Sequence, residues 1–144
     1  MSGRWVGILG AVLAGLAVAA GAFGTHVLRG SLPPERVEVF ETAARYQFYH
    51  ALGLLTVAWL AERRPSRALA WAGWGFLLGM VLFCSSLYLL ALTGLRWLGA
   101  LAPLGGLSFL AGWGALGWAF AHRPASASHA DERAGGQAGP GLAG

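Results

Sequence analysis

The sequence has few charged residues, no lysine and a single cysteine. Charged side chains make up 11% of its 144 residues, well below the share that a soluble domain of this length carries on its surface. The ten basic side chains are all arginine and are scattered along the chain, which argues against a nucleic-acid interface. Because Cys84 is alone, an intramolecular disulfide and a cysteine-based metal cluster are both excluded.

Apolar residues dominate the rest of the sequence. They make up 56% of the chain and fall into long runs separated by short polar connections. Each run can form a helix that crosses a hydrocarbon core of about 30 Å. The expected spans cover residues 5–24, 45–61, 68–93 and 97–121. The sequence therefore predicts an all-α, polytopic membrane protein, a bundle of four transmembrane helices within residues 1–122.

The two ends of the chain need separate interpretation. Arg4 followed by an apolar run resembles a secretory signal peptide, but the run is longer than the 7–15 residues of a signal core, so we expect it to be retained as the first span. Residues 123–144 are rich in Ala, Gly and Ser and cannot bury a core. We predict that this tail is disordered.

The second predicted helix carries most of the polar chemistry. Pro33 and Pro34 suit a first helical turn, and Glu35 and Glu38 complement the positive end of the helix dipole. Continued to Ala61, this helix is roughly 43 Å long. It exceeds the hydrocarbon core, so we expect an amphipathic start outside the core.

Helical spacing indicates which polar side chains of this helix can meet. Glu41 and Arg45 are four residues apart and are expected to form an ion pair, while Tyr46 and His50 lie one turn apart on a neighbouring face. The candidate cluster, either a structural hydrogen-bonded belt or a binding site, consists of His26, Glu41, Arg45, Tyr46, Gln47, Tyr49 and His50.

Small residues predict close helix packing. Gly75 and Gly79 form a GxxxG pattern in the third span, and Gly105 and Gly106 offer a small face in the fourth. The first span has two rows of small residues at helical spacing. These rows are Gly7, Ala11, Gly15 and Ala19, and Gly10, Ala14, Ala17 and Gly21.

The distribution of arginine predicts the orientation. With four spans, one side of the membrane receives Arg4, Arg63, Arg64, Arg67, Arg123 and Arg133, and the other receives Arg29, Arg36 and Arg96, with Arg45 near it. Because the cytoplasmic side carries the excess of positive charge, both termini are expected in the cytoplasm.

Four separated motifs resemble a known family. They are Gly21-Ala-Phe-Gly-Thr-His26, Phe40-Glu-Thr-Ala-Ala-Arg-Tyr-Gln-Phe-Tyr-His-Ala-Leu52, Leu82-Phe-Cys-Ser-Ser-Leu-Tyr88, and Pro103-Leu-Gly-Gly106 with Gly112-Trp113. The chain resembles domain-of-unknown-function family 423, bacterial inner-membrane proteins related to animal transmembrane protein 256. It departs from the usual pattern at Thr25, Cys84 and Ser85. The resemblance implies a small multi-span helical protein of the bacterial inner membrane and no established activity.

Three functions are compatible with these features. The first is a non-enzymatic membrane component that packs with itself or with a larger membrane complex. The second is a small transporter or channel with a polar opening at Glu41, Arg45, Tyr46 and His50. The third is a haem or metal redox site that uses His26 and His50. Since no nucleophile, base or ligand spacing stands out, we favour the first, and expect no enzymatic activity, cofactor or metal and no partner besides lipid and protein.

Overall fold

The computed structural model describes residues 2–122, and within this range the chain is helical throughout with short connections. The tail predicted to be disordered lies outside the described residues. The helices are α1 (Gly3–His26), α2 (Pro34–Arg63), α3 (Arg67–Gly79), α4 (Ser85–Thr93) and α5 (Ala102–Ala121). The all-α prediction is confirmed for this part of the chain.

The first two helices form an antiparallel pair. A short 3₁₀ turn, Leu28–Gly30, reverses the chain, and α2 then begins at the second of the two prolines. Gly24, near the end of α1, lies against Phe40 near the start of α2, and Gly3 lies against Glu62. The 30 residues of α2 therefore run beside the whole length of α1.

The third predicted span is one continuous helical rod made of α3 and α4. Ser66 caps its start by accepting a hydrogen bond from the backbone N–H of Leu69 at 3.3 Å. A π-helical segment, Met80–Cys84, joins the two α-helices, and the sequence analysis did not predict it. The rod ends at Gly94, which adopts the left-handed conformation with φ of 78° that glycine allows without steric cost.

The last helix begins close to its proline. The 3₁₀ segment Arg96–Leu101 precedes α5, and Pro103 occupies the first turn of α5. A proline within an apolar run predicts either a helix start or a kink. The structure shows the start, where the missing proline N–H leaves no intrahelical bond unmade.

The second helix occupies the centre of the bundle. Twelve of its 30 residues are buried, compared with four of 24 in α1 and four of 20 in α5. Leu54 and Phe76 are fully buried in the core, between α2 and α3. The helix with most polar residues thus also supplies most of the buried ones, which are largely apolar, with Gln47 and His50 as the buried polar side chains.

The outer helices expose large apolar side chains. Trp5, Val18, Trp71 and Leu110 are each more than 60% exposed. Three segments are long and apolar enough to cross a membrane, Gly3–Gly30, Arg67–Thr93 and Arg96–Ala121. An apolar exterior of this extent is typical of a bundle whose solvent is lipid.

Candidate functional site

The predicted polar cluster does not form one site. The structure distributes its members over three places: the interior of the bundle, a groove between α1 and α2, and the exposed end of α1. Gln47 and His50 are buried, with 8% and 5% of their surface exposed, whereas Arg45 and His26 are exposed. Each place has different chemistry.

Gln47 connects three helices inside the bundle. Its side-chain amide N–H donates a hydrogen bond to the backbone carbonyl of Leu13 in α1 at 2.9 Å. Its carbonyl oxygen accepts one from the hydroxyl of Tyr88 in α4 at 3.0 Å. Tyr88 is 41 residues from Gln47 in the chain, so helical spacing gave no signal for this pair. The contact fixes α2 relative to both neighbours.

His50 lies in an aromatic environment. Its imidazole ring stacks on Phe109 of α5 with centroids 3.4 Å apart and an angle of 7° between the planes. Phe76 and Trp113 complete the surroundings at centroid distances of 5.7 and 6.1 Å. Nδ1 lies 2.6 Å from the backbone carbonyl of Tyr46, so the tautomer with a proton on Nδ1 donates to that oxygen. The ring is held as part of the core.

His26 is far from His50. It is exposed at the end of α1, beyond Gly24, which lies at the level of Phe40. Ten residues of α2 separate Phe40 from His50, roughly 15 Å along the helix axis. The structure therefore does not bring together the two imidazoles that were expected to form a haem or metal site. Within residues 2–122 no group of three His, Cys, Asp or Glu side chains could hold a metal ion.

Glu41 pairs with Arg29 and not with Arg45. The Arg29 guanidinium lies 3.0 Å from Glu41 Oε1, because the 3₁₀ turn that follows α1 brings Arg29 back over the start of α2. The predicted pair between Glu41 and Arg45 is wrong. The side chain of Arg45 makes no ion pair or hydrogen bond with any residue of the described part of the chain.

A groove runs between α1 and α2 on the outside of the bundle. We call it the α1–α2 groove; its volume is about 390 Å³. Polar side chains and an arginine line one part, and small and apolar side chains the rest. The lining consists of Ala17, Val18, Gly21 and Thr25 from α1 and Glu41, Ala44, Arg45, Phe48 and Tyr49 from α2.

The side chains expected to form the polar opening of a channel lie in two separate parts of the bundle. Glu41 and Arg45 line the outer groove, whereas Tyr46 packs on Phe83 of the π segment at 4.9 Å and His50 is buried beyond it. The hydroxyl of Ser86 donates to the carbonyl of Phe83 at 2.9 Å. These side chains do not line one path, so no observation favours transport.

Arg36 makes a polar contact with α4 that the sequence did not predict. Its Nε donates a hydrogen bond to the backbone carbonyl of Ala91 at 2.6 Å, and its guanidinium lies beside the position of Gly94. The contact joins the start of α2 to the end of α4. The partner is 55 residues away in the chain, so helical spacing gave no signal for it.

Three of the four predicted packing glycines lie at helix contacts. A Cβ on Gly75 would lie 2.8 Å from Gly112 Cα, one on Gly79 would overlap the Phe109 ring, and one on Gly105 would lie 2.7 Å from Phe83 Cβ. These glycines let α5 approach the rod of α3 and α4. A Cβ on Gly106 would meet nothing within 4 Å.

The chain is similar to a family of membrane proteins. A family model described as "Protein of unknown function (DUF423)" matches residues 20–106. The UPF0382 membrane protein SH2409 of Staphylococcus haemolyticus is 48% identical over 106 residues, 74% of this chain and 86% of the relative. YwdK of Bacillus subtilis is 47% identical over 107 residues, 74% and 87% of the two chains.

A relative from Escherichia coli is described as an inner membrane protein. The UPF0382 inner membrane protein YgdD is 41% identical over 113 residues, which cover 78% of this chain and 86% of the relative. No solved structure matches the chain. The residues matched by the family model include Gln47, His50 and most of the groove lining, and the descriptions of the family and of these relatives name no activity.

Proposed function

The chain belongs to the DUF423 family of bacterial membrane proteins, and from this we propose that it is a non-enzymatic component of the bacterial inner membrane that packs with further copies of itself or with a larger membrane complex. The name of the E. coli relative supports the inner membrane as its location. The closed interior of the bundle supports a structural role.

The observation that carries this proposal is the completeness of the internal hydrogen bonding. Among the described residues that are not exposed, every buried side-chain nitrogen or oxygen has a hydrogen-bond partner. A catalytic or transport site needs polar groups that can turn to a substrate. The buried polar groups Gln47, His50 and Ser86 are instead engaged within the bundle, which fits a stable scaffold.

We further propose that α2 crosses the membrane as a fourth span, with both termini in the cytoplasm. Its composition alone does not place it among the apolar spans. Its position beside the whole length of α1 supports a crossing, since Gly3 contacts Glu62 at one end and Gly24 contacts Phe40 at the other. The arginines at the α2–α3 connection, Arg63, Arg64 and Arg67, support a cytoplasmic location for that end.

Two outer faces offer surfaces for assembly. On α1, Ala11, Gly15 and Ala19 are exposed at one-turn intervals. On α5, Gly106, Gly114 and Gly117 have open space where a side chain would project. Small residues on a lipid-facing helix allow another helix to approach closely. Larger side chains would separate the backbones, so these faces are the best candidates for contact with a second chain.

Cysteine cross-linking in membranes tests this proposal. Gly15→Cys and Gly114→Cys are introduced separately into a Cys84→Ala background, and Leu78→Cys, on the exposed face of α3, serves as the control. We expect a covalent dimer on mild oxidation with at least one of the first two variants and none with Leu78→Cys. Monomers at all three positions, together with the mass of a single chain in native mass spectrometry, would contradict self-assembly.

A further inference from the structure

We propose that the α1–α2 groove binds one anionic phospholipid, with the guanidinium of Arg45 contacting its phosphate and an acyl chain lying on the apolar wall. This inference goes beyond the proposed scaffold role and rests on the proposed crossing of α2, which the labelling of the connections tests separately. It rests on the charge of the groove, the depth of Arg45 and the shape of the cavity.

The groove carries an unbalanced positive charge. Glu41 is its only acidic lining residue, and that carboxylate is already paired with Arg29 at 3.0 Å. Arg45 projects into the same groove without an ion pair within residues 2–122. A group that completes this site must therefore be anionic, and an arginine fork suits the oxygens of a phosphate.

The position of Arg45 at the start of the expected second span favours such a partner. Phe40 lies beside Gly24, near the end of α1. Arg45 follows Phe40 by five residues and is therefore roughly 7 Å further along α2 into the bundle. Ionised side chains at membrane depth are paired or extend to the interface. Because Cβ atoms point towards the N-terminus of their own helix, Arg45 is directed to the end of the bundle near the α1–α2 turn, where the proposed crossing of α2 would place the headgroups of one leaflet.

The shape of the groove follows the shape of a lipid. Thr25 and Glu41 lie at the end of the groove near the α1–α2 turn, whereas Ala17, Val18 and Phe48 provide an apolar wall further from that turn. The volume of about 390 Å³ is within the range of small-molecule sites. The hydroxyl of Tyr49 has no hydrogen-bond partner in the described range and adds a donor beside Arg45.

A second copy of the chain fits this groove less well. The lining covers residues 17–25 of α1 and 41–49 of α2, about 12 Å of each helix. A transmembrane helix from another copy would need a contact face along much of the roughly 30 Å core. A headgroup and the upper part of an acyl chain need only the length that the groove provides.

Native mass spectrometry of the full chain in nanodiscs tests the proposal. The discs contain equal amounts of phosphatidylglycerol and phosphatidylcholine, which differ in headgroup charge. We expect one retained phosphatidylglycerol per chain, with a preference over phosphatidylcholine that falls about fivefold in Arg45→Gln, the effect of removing one basic contact with an anionic lipid. Arg96→Gln, which removes an exposed arginine outside the groove lining, is expected to retain the preference.

Gly21→Leu provides a second, steric test. A side chain at position 21 meets no atom within 4 Å of its Cβ and projects into the groove, so this variant is expected to fold normally and lose the bound lipid. Equal retention of both lipids by the wild type would overturn the proposal. It would also be overturned by an equal loss in Arg96→Gln, by full lipid retention in Gly21→Leu, or by a second chain in place of the lipid.

Discussion

Single polar residues determine how the bundle is held together. Gln47 was expected to belong to a polar cluster on the strength of its neighbours in the sequence. In the structure it bonds to Leu13 and Tyr88, 34 and 41 residues away in the chain. In a lipid environment, a buried amide without hydrogen-bond partners destabilises the fold, because no water is present to replace those partners. Both partners of Gln47 therefore contribute to stability.

Removal of the Tyr88 hydroxyl is expected to destabilise the bundle. Tyr88→Phe leaves the Gln47 side-chain oxygen without a donor, and we expect the free energy of unfolding to fall by about 0.6 to 1.7 kcal/mol, the range for hydrogen bonds between transmembrane helices. Unfolding by SDS titration in mild detergent measures the change. In a double-mutant cycle, Tyr88→Phe should have little further effect in Gln47→Leu.

Tyr49 supplies the matched control for this measurement. Its hydroxyl has no hydrogen-bond partner in the described part of the chain, and its side chain is 52% exposed. Tyr49→Phe is expected to change the unfolding free energy by less than about 0.5 kcal/mol. If Tyr49→Phe and Tyr88→Phe had equal effects, the hydrogen bond to Gln47 would not be the cause.

The sequence indicates which side chains lie near one another on a helix, but not which partner each of them binds. The four-residue spacing put Glu41 and Arg45 close enough to pair, and both do line the same groove. The actual partner, Arg29, comes from a turn whose path depends on how α1 packs on α2. Similarly, the approach of His50 to Phe109 of α5 depends on tertiary packing that helical periodicity cannot specify.

Helix boundaries were more predictable than the course of the helices. The proline pair before α2 and Gly94 after α4 mark ends that the sequence indicates directly. The π segment Met80–Cys84 has no such marker. It lies where Phe83 packs against both Tyr46 and Phe109, so the local backbone follows contacts from two other helices.

Gly105 and Gly106 allow a comparison of two adjacent residues in one helix. Because a Cβ at position 105 would lie 2.7 Å from Phe83 Cβ, Gly105→Ala should force α5 away from the π segment. We expect a loss of about 1 to 3 kcal/mol, typical of overpacking. Gly106→Ala has open space and should be as stable as the wild type or slightly more stable, since alanine favours helix.

Thermal unfolding of the two glycine variants in detergent, followed by circular dichroism, measures this difference. Gly105→Ala should unfold at the lower temperature while retaining its helical content at low temperature. Equal unfolding temperatures would show that the close contact between α5 and the π segment does not limit stability. A lower unfolding temperature for Gly106→Ala alone would show that α5 packs through the face that carries Gly106 and not through the face that carries Gly105.

The helices of the bundle differ in polarity. α2 has the lowest mean hydropathy, and the helices packed beside it expose Trp and Leu side chains. Hydropathy identifies the apolar helices as candidate spans but not α2, which buries mainly apolar side chains and exposes most of its charged ones. The composition therefore predicts the membrane location, and the number of crossings stays a prediction.

The number of crossings can be measured by labelling the connections. In a Cys84→Ala background, Gly30→Cys, Pro65→Cys and Leu95→Cys place single thiols in the three connections, all exposed. With four crossings and cytoplasmic termini, a membrane-impermeant thiol reagent should label positions 30 and 95 in intact cells, and position 65 only after permeabilisation. With three crossings and a cytoplasmic N-terminus, positions 30 and 65 would react and 95 would not. With four crossings in the opposite orientation, only position 65 would react, so each topology gives a different pattern, and labelling at 65 in intact cells would contradict the proposed one.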